Sequence, residues 1–138
     1  MRNVFTGTLA VVALTTTSVT TGGGAVTSSA IDLGAFGNNF RDALIQVYSG
    51  TLADGTYAVT VQECDTSNGS YSAVDASRLL GSLPAFAASD DTTVKSFGVR
   101  PTKRYVQVVI TPTGATTGGP FTALAVLGNG SNNPAARS

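Results

Sequence analysis

The side chains that ordinarily carry chemistry are scarce in this sequence. It has no histidine, a single cysteine at Cys64, and eight carboxylates against eight basic groups. Without histidine it lacks the side chain whose charge changes near neutral pH, so general acid-base work has little to draw on. Asp90-Asp91 is an adjacent carboxylate pair, but successive side chains on extended backbone point apart and no partner base accompanies them. A solvated turn accounts for the pair better than hydrolysis does. Asp65, Ser67, Asn68 and Gly69 offer oxygen ligands without the alternating spacing and closing glutamate of a calcium loop, and a hairpin turn explains them equally. Cys64 has no partner for an intrachain disulfide and reads as a small buried hydrophobe at a strand end. The expectation is a non-enzyme with no catalytic residue, no metal and no cofactor.

Arg100, Lys103 and Arg104 form a basic cluster that leads into Tyr105. A nucleic-acid groove needs more bases and several stacking aromatics, and a net charge of zero creates no field toward nucleic acid or an anionic membrane. Neither is expected as a partner. The cluster reads as strand-end charges available for a salt bridge to a neighbouring subunit. Charged residues make up only 12% of the chain, against about a quarter in ordinary domains, so its surface is weakly protected against association. That suits a subunit packed against others. Met1-Arg2-Asn3 before Val4 to Leu14 has the outline of a signal peptide, but Thr6-Gly7-Thr8 interrupts the apolar run and no small-x-small cleavage site follows. The run is also shorter than the roughly 20 residues that cross a bilayer. Asn68-Gly69-Ser70 and Asn129-Gly130-Ser131 match the glycosylation acceptor pattern, and turn chemistry explains both.

The elements that would hold these residues are strands. A length of 138 residues suits one domain with its own core. Residues 1–14 read as an extended arm or first strand, the threonine-rich tract that follows as an edge strand or linker, and residues 25–33 as a second strand. Residues 40–49 and 56–64 alternate apolar and polar positions around Asp54-Gly55, which reads as a hairpin. Asn68-Gly69 predicts a type I′ turn into residues 71–74, and Asp75 to Gly81 a capped helical turn. Residues 92–99 and 121–127 are further strands, and the nearly continuous apolar run from Tyr105 predicts a central strand covered on both faces. About eight short strands with almost no helix define an all-β antiparallel sandwich, jelly-roll or immunoglobulin-like. The organisation expected is an arm or edge strand at 1–24, a sandwich at 25–128 and a polar tail at 129–138.

One ordered series of residues resembles a known family. It runs Tyr57-Ala58-Val59-Thr60-Val61-Gln62, a Ser/Asn/Gly turn, Leu79-Leu80-Gly81, Asp90 to Val94, Lys103-Arg104-Tyr105-Val106-Gln107-Val108-Val109 and Ala123-Leu124-Ala125-Val126-Leu127-Gly128. This is similar to head decoration or cement proteins of tailed bacteriophages, over about residues 41–128. The resemblance implies a capsid-stabilising subunit on the outer surface of the virion, partnered by the major capsid protein and by copies of itself, with a trimer favoured. Candidate contact residues are then Met1, Arg2, Val4, Phe5 and Leu9 in the arm, Arg100, Lys103 and Arg104 in the basic cluster, and Arg137 in the tail. The middle of the chain also resembles discoidin-type jelly rolls, which implies a carbohydrate or host-surface binding module as the alternative. A tail or head-tail joining component is the third reading.

Overall fold

The structure, a computed structural model, describes residues 3–130. It is an antiparallel β-sandwich of two sheets. The front sheet has five strands in the order β1 (Thr8–Val19), β11 (Gly119–Gly128), β4 (Asp42–Ser49), β9 (Val94–Val99) and β7 (Leu79–Leu80). The back sheet is built on β10 (Tyr105–Thr113) and β5 (Thr56–Cys64). Against β10 lie β2 (Val26–Thr27) and β3 (Ile31–Asp32); against β5 lie β6 (Ser72–Ala73) and β8 (Ala85–Ala87).

Alternation sets the core. Ala43, Ile45 and Val47 of β4 are buried while Leu44 and Tyr48 face outward, and Phe121, Ala123, Ala125 and Leu127 of β11 repeat the pattern. From the back sheet come Tyr57, Val59 and Val61 of β5 and Val106, Val108 and Ile110 of β10. Each fully buried aliphatic side chain contributes about 1.5–3 kcal/mol by leaving water. At one end of the core the ring of Phe121 lies 4.8 Å from Tyr57 and 5.2 Å from Phe86. Lys95 closes that end: its ammonium sits 4.9 Å over the Phe86 ring, donates to the Ala85 carbonyl at 2.6 Å and meets Asp90 at 3.1 Å.

Five local expectations are corrected. Strands β4 and β5 do not form a hairpin: β4 pairs with β11 and β9, β5 with β10, and residues 50–55 cross from one sheet to the other. The crossing is fixed by Leu52, 4% exposed, which plugs the sandwich end while its N–H donates to Asp91 at 2.6 Å. Residues 25–33 are interrupted between β2 and β3, where the Ser28 hydroxyl accepts the Val108 N–H at 2.9 Å in place of a strand carbonyl. Val4–Gly7 is a helical turn, α1, because Asn3 and Thr6 form a reciprocal capping box. The Asn68-Gly69 turn does reverse the chain into β6, but neither residue takes a positive φ. Glycine is needed there for another reason: a Cβ on Gly69 would lie 2.5 Å from Cys64 Sγ. Strand β10 is central as expected, yet only one of its faces is covered, since Tyr105, Gln107 and Val109 are half-buried on the outside.

Candidate interaction surfaces

The carboxylates are built into the scaffold. Asp54 accepts the backbone N–H groups of Thr116, Thr117 and Gly118 at 2.9–3.2 Å, which holds its carboxyl below the usual range. Asp75 caps the turn after it by accepting Ser77 N–H at 2.9 Å, and its pKa is lowered by that bond. Glu63, 7% exposed, accepts both the N–H and the hydroxyl of Thr102 at 2.9 and 3.0 Å. The Asp90-Asp91 pair divides: Asp90 accepts Ala87 N–H at 2.8 Å and the Lys95 ammonium, while Asp91 holds Leu52. The backbone bond to Ala87, then Lys95, lowers Asp90. Cys64 is buried at the end of β5, and among the described residues no three acidic, histidine or cysteine side chains are placed to hold a metal ion.

At the end of the sandwich away from the Phe121–Lys95 cluster, a cleft of about 320 Å3 is lined by Leu33, Phe40, Arg41, Thr102, Lys103 and Arg104 among others. It brings Lys103 and Arg104 of the expected basic cluster together with Arg41, which the sequence reading passed over because it stands alone before β4. Arg104 is committed to Asp32 in a two-pronged pair of 2.8 and 3.0 Å, with its guanidinium 5.1 Å from the centre of the Tyr105 ring. The Arg104 bond, helped by the Gly34 N–H, lowers the Asp32 carboxyl, and Asp32 in turn raises Arg104. Arg100 reaches Asp42 at 3.8 Å and leaves its side chain mostly exposed. This end gathers the bases at 41, 78, 100, 103 and 104 and the acids at 32, 42, 63, 65 and 75, five against five. In the cleft itself Asp32 neutralises Arg104, which leaves Arg41 and Lys103 as its other charged lining residues.

The arm residues separate by position. Val4 and Phe5 of α1 are 80% and 73% exposed, and an apolar cleft of about 610 Å3 opens between them and Thr8, Leu9 and Ala10. Leu9, expected as a contact residue, belongs instead to the core opposite Leu127, because it falls on the inner face of β1 and touches the cleft only at its floor. Met1, Arg2 and Arg137 lie outside the described residues.

A surface that sequence reading missed is the outer face of the front sheet. Ala10, Val126, Leu44, Gly98 and Leu80 stand in register, one on each of its five strands, and form an unbroken apolar row. The next row is Val12, Leu124, Gln46 and Ser96, followed by Thr122, Tyr48 and Val94. Among the described residues its charges are confined to one margin, where Arg78 stands beside the Asp42–Arg100 pair. The signal lay in the outward set of β11, where Leu124 and Val126 are apolar, joined by Leu44 and Tyr48 of β4. The back sheet differs: its outer face pairs Gln107 with Gln62 at 2.8 Å and sets Thr60 opposite Val109.

No protein-family model matches the chain, and no curated protein matches it in sequence. Solved structures do share its fold. The PBSX exported protein XepA matches with a TM-score of 0.62 at 14% identity, over 100% of this chain and 42% of that one. The chain thus spans about two fifths of the length of XepA. The SPBc2 prophage-derived protein YomS matches with a TM-score of 0.50 at 12% identity, over 87% of this chain and 91% of that one. At such identities the likeness is one of fold.

Proposed function

We propose that the chain is a virion structural protein, a decoration subunit that binds the major capsid protein on the outer surface of the mature phage head. The observation that carries this reading is the pair of exposed apolar side chains, Val4 and Phe5, on a capped turn beside an open apolar cleft. Together with the open apolar cleft beside them, these side chains make the kind of apolar patch that a partner covers. Two further features support it. Six of the eight carboxylates hold backbone N–H groups, which suits a non-catalytic protein, and the fold recurs in the SPBc2 prophage-derived protein YomS and in the PBSX exported protein XepA. The mechanism is thermodynamic. A subunit that binds only the assembled lattice stabilises it by mass action, and repeated weak contacts add across the shell.

The test is quantitative mass spectrometry of purified particles, with particles carrying Val4→Ser/Phe5→Ser alongside. Hundreds of copies per particle are expected, falling at least tenfold in the double variant. A count of about six or twelve would move the protein to a connector or tail ring. Its absence from particles would overturn the virion reading altogether.

A further inference from the structure

We infer that the outer face of the front sheet is the docking surface for a second copy of this chain, packed face to face across a two-fold axis near the middle strand β4. This inference does not rest on the virion reading. Leu44, Leu80, Val12, Tyr48 and Val94 of this face are 39–56% exposed, and they are joined by the half-buried Leu124 and Val126 into one apolar field. Monomers rarely leave a contiguous apolar field larger than a few hundred Å2 in water.

Three properties select a second copy as the occupant. First, the face is almost free of charge inside the Asp42–Arg100 margin, so two copies meet without like-charge repulsion and without stripping water from an ion. A polyanion or a charged peptide would find nothing to pair with. Second, its polar groups suit self-pairing. Thr16 and Thr122 already hydrogen bond to each other at 3.1 Å, while the half-buried amide of Gln46 has no side-chain partner among the described residues. A carboxamide near a two-fold axis donates to and accepts from its own symmetry mate. Third, the area is sufficient. Five strands about 4.8 Å apart, with a middle strand of eight residues at about 3.3 Å each, give roughly 500 Å2 per copy once the short β7 is allowed for. A pair buries about 1,000 Å2, the lower bound for a specific interface, and twisted sheets stacked this way pack about 10 Å apart.

The experiment is light scattering of the purified full chain after size exclusion, loaded at about 100 μM, a concentration that populates complexes down to micromolar affinity. The expected result is twice the chain mass for the wild type and for Thr60→Glu on the back sheet, and a single chain mass for Leu44→Glu. Circular dichroism checks that Leu44→Glu keeps its strand content. Should it not, Gln46→Cys in a Cys64→Ser background decides, because copies related by an axis at β4 are joined by a short bis-maleimide, whose reach spans sheets about 10 Å apart, whereas Thr60→Cys copies in the same background are not. A monomeric wild type, a trimer, or a folded Leu44→Glu that stays dimeric would overturn the inference. Each of these leaves the particle copy number untouched, so failure here is distinct from failure of the virion reading.

Discussion

Replacing Phe121 tests how the sandwich is held together. The side chain is 1% exposed on the interior strand β11, tilted 53° against Tyr57 at 4.8 Å and edge-on to Phe86 at 5.2 Å. Leucine keeps most of the volume and loses the two ring contacts, worth about 0.5–1.5 kcal/mol each, so Phe121→Leu should cost about 2 kcal/mol. Alanine adds lost burial and a cavity between two sheets that cannot collapse onto it, for a total of about 4 kcal/mol. With an ordinary domain stability of about 5–15 kcal/mol, Phe121→Ala leaves the fold marginal. Urea unfolding can be followed by tyrosine fluorescence, since the chain has no tryptophan and Tyr57 lies in the cluster. A urea slope near 2 kcal/mol/M turns these costs into midpoint shifts of about 1 M and about 2 M at unchanged slope. A Phe121→Ala midpoint within about 0.5 M of wild type would refute the reasoning, because the cluster would then not be what joins the sheets.

Two further outcomes follow from the same structure. Asp32, Asp54, Asp75 and Asp90 all titrate below the ordinary 3.8, so their contribution is complete above that value and is lost as pH falls through the lower folded values. With no histidine to titrate, thermal melts should be flat from about pH 5 to 8 and drop steeply below about pH 3.5; a slope through pH 6–7 would contradict this. Gly118 has φ +69° and its missing Cβ would run into the Val19 carbonyl, so Gly118→Ala should cost more than about 2 kcal/mol by urea unfolding, and a neutral result would place the loop elsewhere.

Much of the fold was legible because a half-buried strand writes its buried face into every second residue. Ile45, Val59 and Phe97 fall on strands by that alternation alone, and Val108 by an apolar run. Alternation says which way a side chain points and nothing about which strand lies alongside. Residues 40–64 therefore read as a hairpin, when the buried Leu52 carries the chain across the sandwich. The uninterrupted apolar run of β10 misled in the opposite sense, since valine on an outer face serves strand preference as well as burial. Interaction surfaces were less legible than the core. Lys103 and Arg104 drew notice as neighbours in sequence, but Arg41 joins them only through folding, and the apolar row from Ala10 to Leu80 takes one residue from each of five strands.

The position of β11 also constrains how the molecule comes into being. It lies between β1 and β4, with Thr8 opposite Gly128 at one edge and Asp42 opposite Gly128 at the other. Until that late segment leaves the ribosome, β1 is cut off from the rest of the front sheet and both flanking strands carry unpaired edges. Closure therefore waits for β11, through contacts of the long sequence separation that slow folding to milliseconds or more. During that interval the aggregation hazard rests on β1, a twelve-residue strand with no charge and no proline to discourage stray pairing. A protein made in many copies would be under pressure to shorten that exposure, so the speed with which β11 inserts, more than final stability, would set how much of it reaches its native form.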